Sequence, residues 1–251
     1  MQRLSALDAS FISMEDGIAH MHIAGLCLFE GPAPTSEEFE ALLHSKLHLI
    51  PRYRQRDRPV PLELGRPVWV DDPHFRLAYH LRRTALPAPG GDAQLEQLMG
   101  RLMSQPLDRN RPLWEAWLVD GVEGGRWGIV FKVHHCMVDG ISGVGLLTAF
   151  LDIDPEAPIA AAQPWTPAPE PSGSAMVLGA WAGLGEDLVD WVRETPGAVR
   201  PGCRTARAVV SAVEGFIGFG RNLESTPAQS IEGTIGPHRA WAHSSVDIAE
   251  V

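Results

Sequence analysis

The stretch Gly128-Ile129-Val130-Phe131-Lys132-Val133-His134-His135-Cys136-Met137-Val138-Asp139-Gly140 decides how the rest of the chain is read. Its first half is short, β-branched and aromatic, with Trp127, Ile129, Phe131 and Val133 on alternate positions, which predicts a strand. Its second half leads into Ile141–Leu151, small residues followed by an apolar helical run. A histidine pair thus falls at a strand–helix junction. Side chains alternate across a strand, so a strand continuing through the pair would aim the two rings in opposite directions. One would then face a cavity and the other be tied into the sheet. A histidine is well matched to proton transfer near neutral pH, its ordinary pKa being about 6.5. Asp139, four residues after His135, suits a clamp on an arginine or a backbone amide, and Gly140 leaves room for a close approach.

His134-His135-x-x-x-Asp139-Gly140 resembles the histidine motif of the acyltransferase superfamily that includes chloramphenicol acetyltransferase and peptide-synthetase condensation domains. Two further stretches narrow the likeness. Leu4-Ser5-Ala6-Leu7-Asp8-Ala9-Ser10-Phe11 resembles the opening of the bacterial wax ester synthase/diacylglycerol acyltransferase family. Pro106–Glu115, with Arg111-Pro112-Leu113-Trp114 at its centre, is similar to that family's Pro-Leu-Trp block. Cys136 stands where the family usually has alanine.

The resemblance implies an α/β (α+β) fold: a chloramphenicol acetyltransferase-like half with a mixed sheet flanked by helices. It implies acyl-coenzyme A as co-substrate, a diacylglycerol or long-chain alcohol as acceptor, and triacylglycerol or wax ester as product. His135 would take the acceptor hydroxyl proton, with His134, Asp139 and Gly140 in support. Pro112, Leu113 and Trp114 would serve substrate or structure, and Arg111 is a candidate partner for Asp139. Family members have two similar halves, so the resemblance also implies an N-terminal portion that works with a missing C-terminal half. Ala240–Ile248 reads as the first strand of that second half. A non-catalytic, lipid-associated or scaffolding protein that keeps the half-fold is the alternative.

The 251 residues, 45% hydrophobic, suffice for one sizeable core or two small ones. A net charge of −10 argues against a nucleic-acid partner, which needs a basic footprint. Cys27, Cys136 and Cys203 are scattered and odd in number, which suits a reducing cytoplasm. No metal and no further cofactor are expected, since adjacent strand histidines point apart and no other ligand cluster is near. No signal peptide is read at the N-terminus, and no uncharged run approaches the ~20 residues of a membrane span, so contact with the inner membrane or a lipid droplet would be peripheral.

The organisation expected is an acyltransferase domain over 1–152, a Pro-rich linker over 153–174, crossover helices over 175–222 and the start of a second half over 223–251. Within the first domain, Met21–Phe29 reads as a strand. Thr35 caps a helix with Glu38 three residues on, and Pro51 stops it. Arg52–Arg58 is a basic cluster, either a solvated connector or a contact for coenzyme A phosphates or lipid head groups. Val68–Val70 and Phe75–Leu81 read as strands, Asp92–Ser104 as a helix and Leu113–Val119 as a strand, joined by a turn to the histidine strand. Trp114 reads as core. Past the linker, Val177, Trp181, Leu184, Leu188 and Trp191 form a helical stripe, and Thr205–Phe219 a second helix. These pack on the other half or, alternatively, touch a lipid surface, although their acidic neighbours disfavour the latter.

Overall fold

The computed structural model describes residues 2–138, 150–152, 154, 157–194, 235–244 and 246, with the backbone alone over 184–194. The elements in chain order are β1 (Gln2–Arg3), α1 (Ala6–Met14), β2 (His22–Phe29), α2 (Ser36–Lys46), β3 (Gln55–Arg58) and β4 (Val68–Asp71). They continue with α3 (Leu77–His80), β5 (Leu81–Ala85), α4 (Asp92–Ser104), β6 (Trp114–Val122), β7 (Arg126–His134) and α5 (Gly173–Glu194). Two compact units result, one formed by 1–172 with 235–251 and the other by 173–234.

The larger sheet has the order β2-β7-β6-β5. Both pairings of β7 are antiparallel, with His22 opposite His134 and Trp114 opposite Val133, while β5 runs parallel to β6. It is a mixed sheet flanked by helices, as the histidine motif implies. The alternation of β7 sorts its residues into two cores. Ile129, Phe131 and Val133 pack with Phe39, Leu43, Tyr53 and Trp114 on one face. Val130 packs on the other with Leu95, Leu98, Met99 and Leu102 of α4. By the same period of two, Lys132 and His134 follow Val130 onto the α4 face.

Local sequence explains the helix boundaries. Thr35 Oγ1 accepts the Glu38 amide at 3.1 Å while Glu38 Oε2 accepts the Thr35 amide at 2.7 Å, the reciprocal box expected for α2. The β6–β7 hairpin turns through Gly124 and Gly125, both at positive φ, a conformation that costs glycine little.

Two expectations are corrected. Phe75–Leu81 is no strand: Asp72 accepts the His74 amide at 2.9 Å and turns the chain, so α3 forms and pairing starts only at Leu81. The turn stacks His80 against Phe75 at 5.3 Å and Trp114 at 4.6 Å. Arg52–Arg58 is no solvated connector, because it contains β3, which pairs with β4 and buries Tyr53, Arg54 and Asp57. Its charges are met inside the chain: Glu170 binds Arg56 at 3.1 Å and Arg58 at 2.8 Å, and Arg54 lies over Trp165. The Pro-rich residues 157–172 thus run along the small β1-β4-β3 sheet, where the Ala168 amide donates to Asp71 at 2.9 Å. The described residues from 240 on join neither sheet, and the rest of the stretch expected to open a second half lies outside the described residues. The former follow α4, where a Cβ on Gly100 would meet the Arg239 carbonyl at 2.6 Å, so only glycine admits that approach.

In the second unit, α5 is continuous; Trp181 of the expected stripe is exposed while Met176 and Ala180 are buried, and the side chains of Leu184, Leu188 and Trp191 lie outside the described residues. The helices expected at 141–151 and 205–219 lie outside the described residues, apart from Phe150 and Leu151. Phe150 is fully buried and stacks on Phe131 at 5.0 Å.

Candidate active site at the end of the histidine strand

β7 ends at His134, and His135 opens a single 3-10 turn over His135–Met137. The expected separation of the two rings therefore exists, but the chain's turn produces it rather than the pleat of a continuing strand. The His134 amide donates to the Leu113 carbonyl at 3.0 Å and the His135 amide to the Met21 carbonyl at 2.8 Å. Each histidine is pinned by its backbone to a different neighbour.

The His134 ring is wholly buried. Its Nδ1 accepts the Cys136 amide at 3.2 Å and lies 3.0 Å from the Cys136 sulfur. With that nitrogen accepting, the neutral ring carries its proton on Nε2, which lies 3.8 Å from Glu15 Oε2. Burial pushes the His134 pKa down to about 4, with nearby Arg109 and His135 acting in the same direction. It is neutral at pH 7 and its lone pair is in use, so it has no means of accepting a substrate proton. Burial also pushes the Cys136 thiol up, leaving it protonated.

His135 is half-buried, and its ring stacks on Phe11 of α1 with centroids 4.9 Å apart. The far end of α1 is held by Arg109, whose guanidinium lies 3.5 Å from Glu15 and 3.2 Å from Asp57, and donates to the Ile12 carbonyl at 3.4 Å. Glu15 thereby links the Arg109 clamp to the buried His134.

On the α4 face, Lys132 sends its ammonium to the Leu102 and Gln105 carbonyls. A cation there suits the carbonyl end of a helix, where the Leu102 carbonyl otherwise has only the Gln105 amide at 3.4 Å. Burial lowers its pKa to about 8, against the upward pull of Glu115 and Glu15.

The Pro-Leu-Trp block is brought to the site through its backbone. Pro112, Leu113 and Trp114 are all buried. The Trp114 indole donates to the Tyr53 carbonyl at 2.8 Å, and its carbonyl accepts from His80 Nδ1 at 2.8 Å. Leu113 contributes the carbonyl that fixes His134. Arg111 is engaged elsewhere, 3.1 Å from Asp108 and 3.6 Å above the Tyr79 ring. Asp139 and Gly140 lie outside the described residues. Among the described residues no group of three or more His, Cys, Asp or Glu is placed to hold a metal ion.

Sequence reasoning missed Arg109, Glu15 and Lys132 as parts of this site. Arg109 stood in the quoted block two residues from Arg111, and spacing gave no reason to prefer it. Lys132 carried a usable signal: a lysine inside an otherwise apolar strand has to find buried acceptors.

Fold and site together define a chain of the chloramphenicol acetyltransferase-like class. Residues 4–251 match the family described as the wax ester synthase/diacylglycerol acyltransferase catalytic domain, and the chain belongs to that family. It is 38% identical over 246 residues to a probable diacylglycerol O-acyltransferase, tgs3, of Mycobacterium tuberculosis, covering 97% of this chain and 85% of that one. It is 46% identical over 154 residues to the probable diacylglycerol O-acyltransferase tgs1 of the same organism, covering 61% of this chain. That match spans 33% of tgs1, so the chain covers about a third of that relative's length. Among solved structures, the wax ester synthase/diacylglycerol acyltransferase from Marinobacter aquaeolei VT8 is similar at 34% identity and a TM-score of 0.51, covering 62% of this chain and 38% of that one.

Proposed function

We propose that the protein transfers an acyl group from acyl-coenzyme A to the hydroxyl of a diacylglycerol or long-chain alcohol, with His135 as general base and no further cofactor. The observation that carries this reading is the difference between the paired rings. His134 is buried with its Nδ1 lone pair used by the Cys136 amide, whereas His135 is half-buried on α1. In the proposed reaction His135 removes the acceptor O–H proton as the oxygen attacks the thioester carbonyl. The C–S bond then breaks and coenzyme A thiolate leaves. General base catalysis of this kind contributes ~10²–10⁴-fold, and orientation and oxyanion stabilisation supply the rest.

The names of the relatives support the acyl-transfer chemistry, and the intact histidine motif supports its placement at His135. Asp139 and Gly140 are proposed to hold the turn after His135, and a C-terminal half to complete the site. Among the described residues no helix is long and apolar enough to cross a membrane. Contact with the inner membrane or a lipid droplet is proposed to be peripheral.

The test is ester formation followed by mass spectrometry, with palmitoyl-coenzyme A and either hexadecanol or a diacylglycerol, beside His135→Ala. Ester that depends on His135 supports the reading and identifies the acceptor class. No ester from the wild-type protein would mean either that transfer needs the C-terminal half or that the non-catalytic, lipid-associated alternative holds.

A further inference from the structure

Of the four arginines in the Arg52–Arg58 cluster, three have polar partners: Gln2 and Gln55 for Arg52, and Glu170 for Arg56 and Arg58. Arg54 has none among the described residues. It is 5% exposed, and its guanidinium meets only the face of Trp165, 5.0 Å from the ring centre. A ring attracts the charge but gives the N–H fork no acceptor oxygen. The Asp71 carboxylate, whose field favours the charge, is already taken by the Gln55 side chain and the Ala168 amide, each at 2.9 Å. Burial outweighs that field and lowers the Arg54 pKa. Buried charges are as a rule paired, so Arg54 calls for an acceptor that the chain itself does not supply.

Arg54 lines a cleft of about 590 Å³ between α2, residues 75–78 and residues 162–165. On its rim stand His44 and Arg76, both exposed and likewise without a polar partner among the described residues. Glu40 is the only acid in this lining, and it pairs with none of them. In a chain of net charge −10 such a basic cleft is a local exception. Phe75 and Trp165 supply its aromatic wall, their rings edge to face at 6.1 Å.

A guanidinium matches a phosphate through two parallel N–H···O bonds. A bare phosphate would occupy only the floor beside Arg54. The remaining volume is in the range that encloses a small organic ligand, and aromatic faces hold a nucleobase by stacking. We infer that the cleft binds a nucleoside phosphate, its phosphate on Arg54 and Arg76 and its base against Phe75 and Trp165. A phospholipid head group shares the phosphate but has no flat ring for that wall. The inference goes beyond acyl transfer, because it requires nothing of His135. Two sources share the ligand's chemistry: coenzyme A, which ends in a phosphorylated adenosine, and a free nucleotide.

Calorimetric titration of the full protein with ADP, coenzyme A, adenosine and inorganic phosphate is the test. ADP, coenzyme A or both are expected to bind, with adenosine and inorganic phosphate weaker by about tenfold or more. Arg54→Gln, Arg76→Gln and Trp165→Ala should each weaken that binding about tenfold. Arg101→Gln, at an exposed arginine of α4, should leave it unchanged. Arg76 is exposed, so its variant keeps the test decisive if Arg54→Gln fails to fold. A larger loss for coenzyme A than for ADP assigns the cleft to the acyl donor, and an equal or larger loss for ADP assigns it to a free nucleotide.

Three results would overturn the inference: no binding of either nucleotide, inorganic phosphate bound as tightly as they are, or affinities unchanged in both Arg76→Gln and Trp165→Ala. None of these readouts involves ester formation, so the inference and the acyl-transfer reading stand or fall separately.

Discussion

The two sides of the β7 terminus differ in what surrounds a histidine. On the α4 side, His134 and Lys132 are buried: the His134 Nδ1 takes the Cys136 amide and the Lys132 ammonium the Leu102 and Gln105 carbonyls, while His134 Nε2 has no hydrogen-bond partner among the described residues. On the α1 side, His135 is half-buried, pinned by its backbone to Met21, with its ring against Phe11. Neighbouring identical residues thus have opposite relations to water. The closed side fixes the end of the strand so that the open side presents a ring in one position.

That contrast is open to attack at several strengths. The largest effect is expected at Trp114, which packs in the core opposite α4 and is fixed by its bonds to Tyr53 and His80. Trp114→Ala removes a fully buried indole and should lower unfolding stability by about 3–5 kcal/mol in a denaturant titration. A smaller loss would mean that the block does not hold the strand end.

Next comes Lys132→Met, which keeps the stem and removes the ammonium. The Gln105 carbonyl loses its ammonium donor and the Leu102 carbonyl keeps only the Gln105 amide at 3.4 Å, and a loss of about 1–3 kcal/mol is expected. Hydrogen exchange should accelerate in the last turn of α4 and hardly at all in α1. Equal acceleration in both helices would erase the distinction between the two sides.

The pH response is smaller and has a definite sign. His22, His80 and His134 are each pushed down to about 4, mainly by burial. Between that value and the ordinary 6.5 the unfolded chain binds more protons than the folded one, so stability rises with pH. It is fully present above about pH 6.5 and is lost as pH falls towards 4. The Tm should drop between pH 7 and pH 5, and the drop should be shallower in His134→Gln. An unchanged slope would remove His134 from the closed side.

The smallest effect is expected at Glu170→Ala. Its pairs with Arg56 and Arg58 are partly exposed, and such bridges are worth about 0–1 kcal/mol. Their loss should loosen residues 157–172, read by faster proteolysis there, with little change in Tm.

The contrast also marks what was readable in the sequence. Elements with strong local signals were legible: the Thr35–Glu38 box, the α4 stripe and the hairpin that delivers the histidines. So was the core role of Trp114, a large ring in an alternating strand. The misreadings have one physical source, which is that short segments were settled by distant partners. Phe75–Leu81 alternates like a strand, but the turn at Asp72 and the stacking of His80 on Trp114 bend it into α3. Arg52–Arg58 looks solvated until Glu170, more than a hundred residues later, supplies its counter-charge. At the site, motif spacing located His134 and His135 and predicted that they differ. It did not reveal Arg109, whose role depends on Glu15 and Asp57 arriving from two separate elements.

The central claim is a division of labour within one dipeptide, and parallel measurement of activity and stability in His134→Ala and His135→Ala tests it most directly. The account predicts that His135→Ala lowers ester formation by ~10²–10⁴-fold with nearly unchanged Tm. It predicts that His134→Ala loses about 1–3 kcal/mol of stability while retaining measurable transfer in the fraction that stays folded. Equal melting of the two variants, or loss of activity from His134→Ala alone, would contradict it.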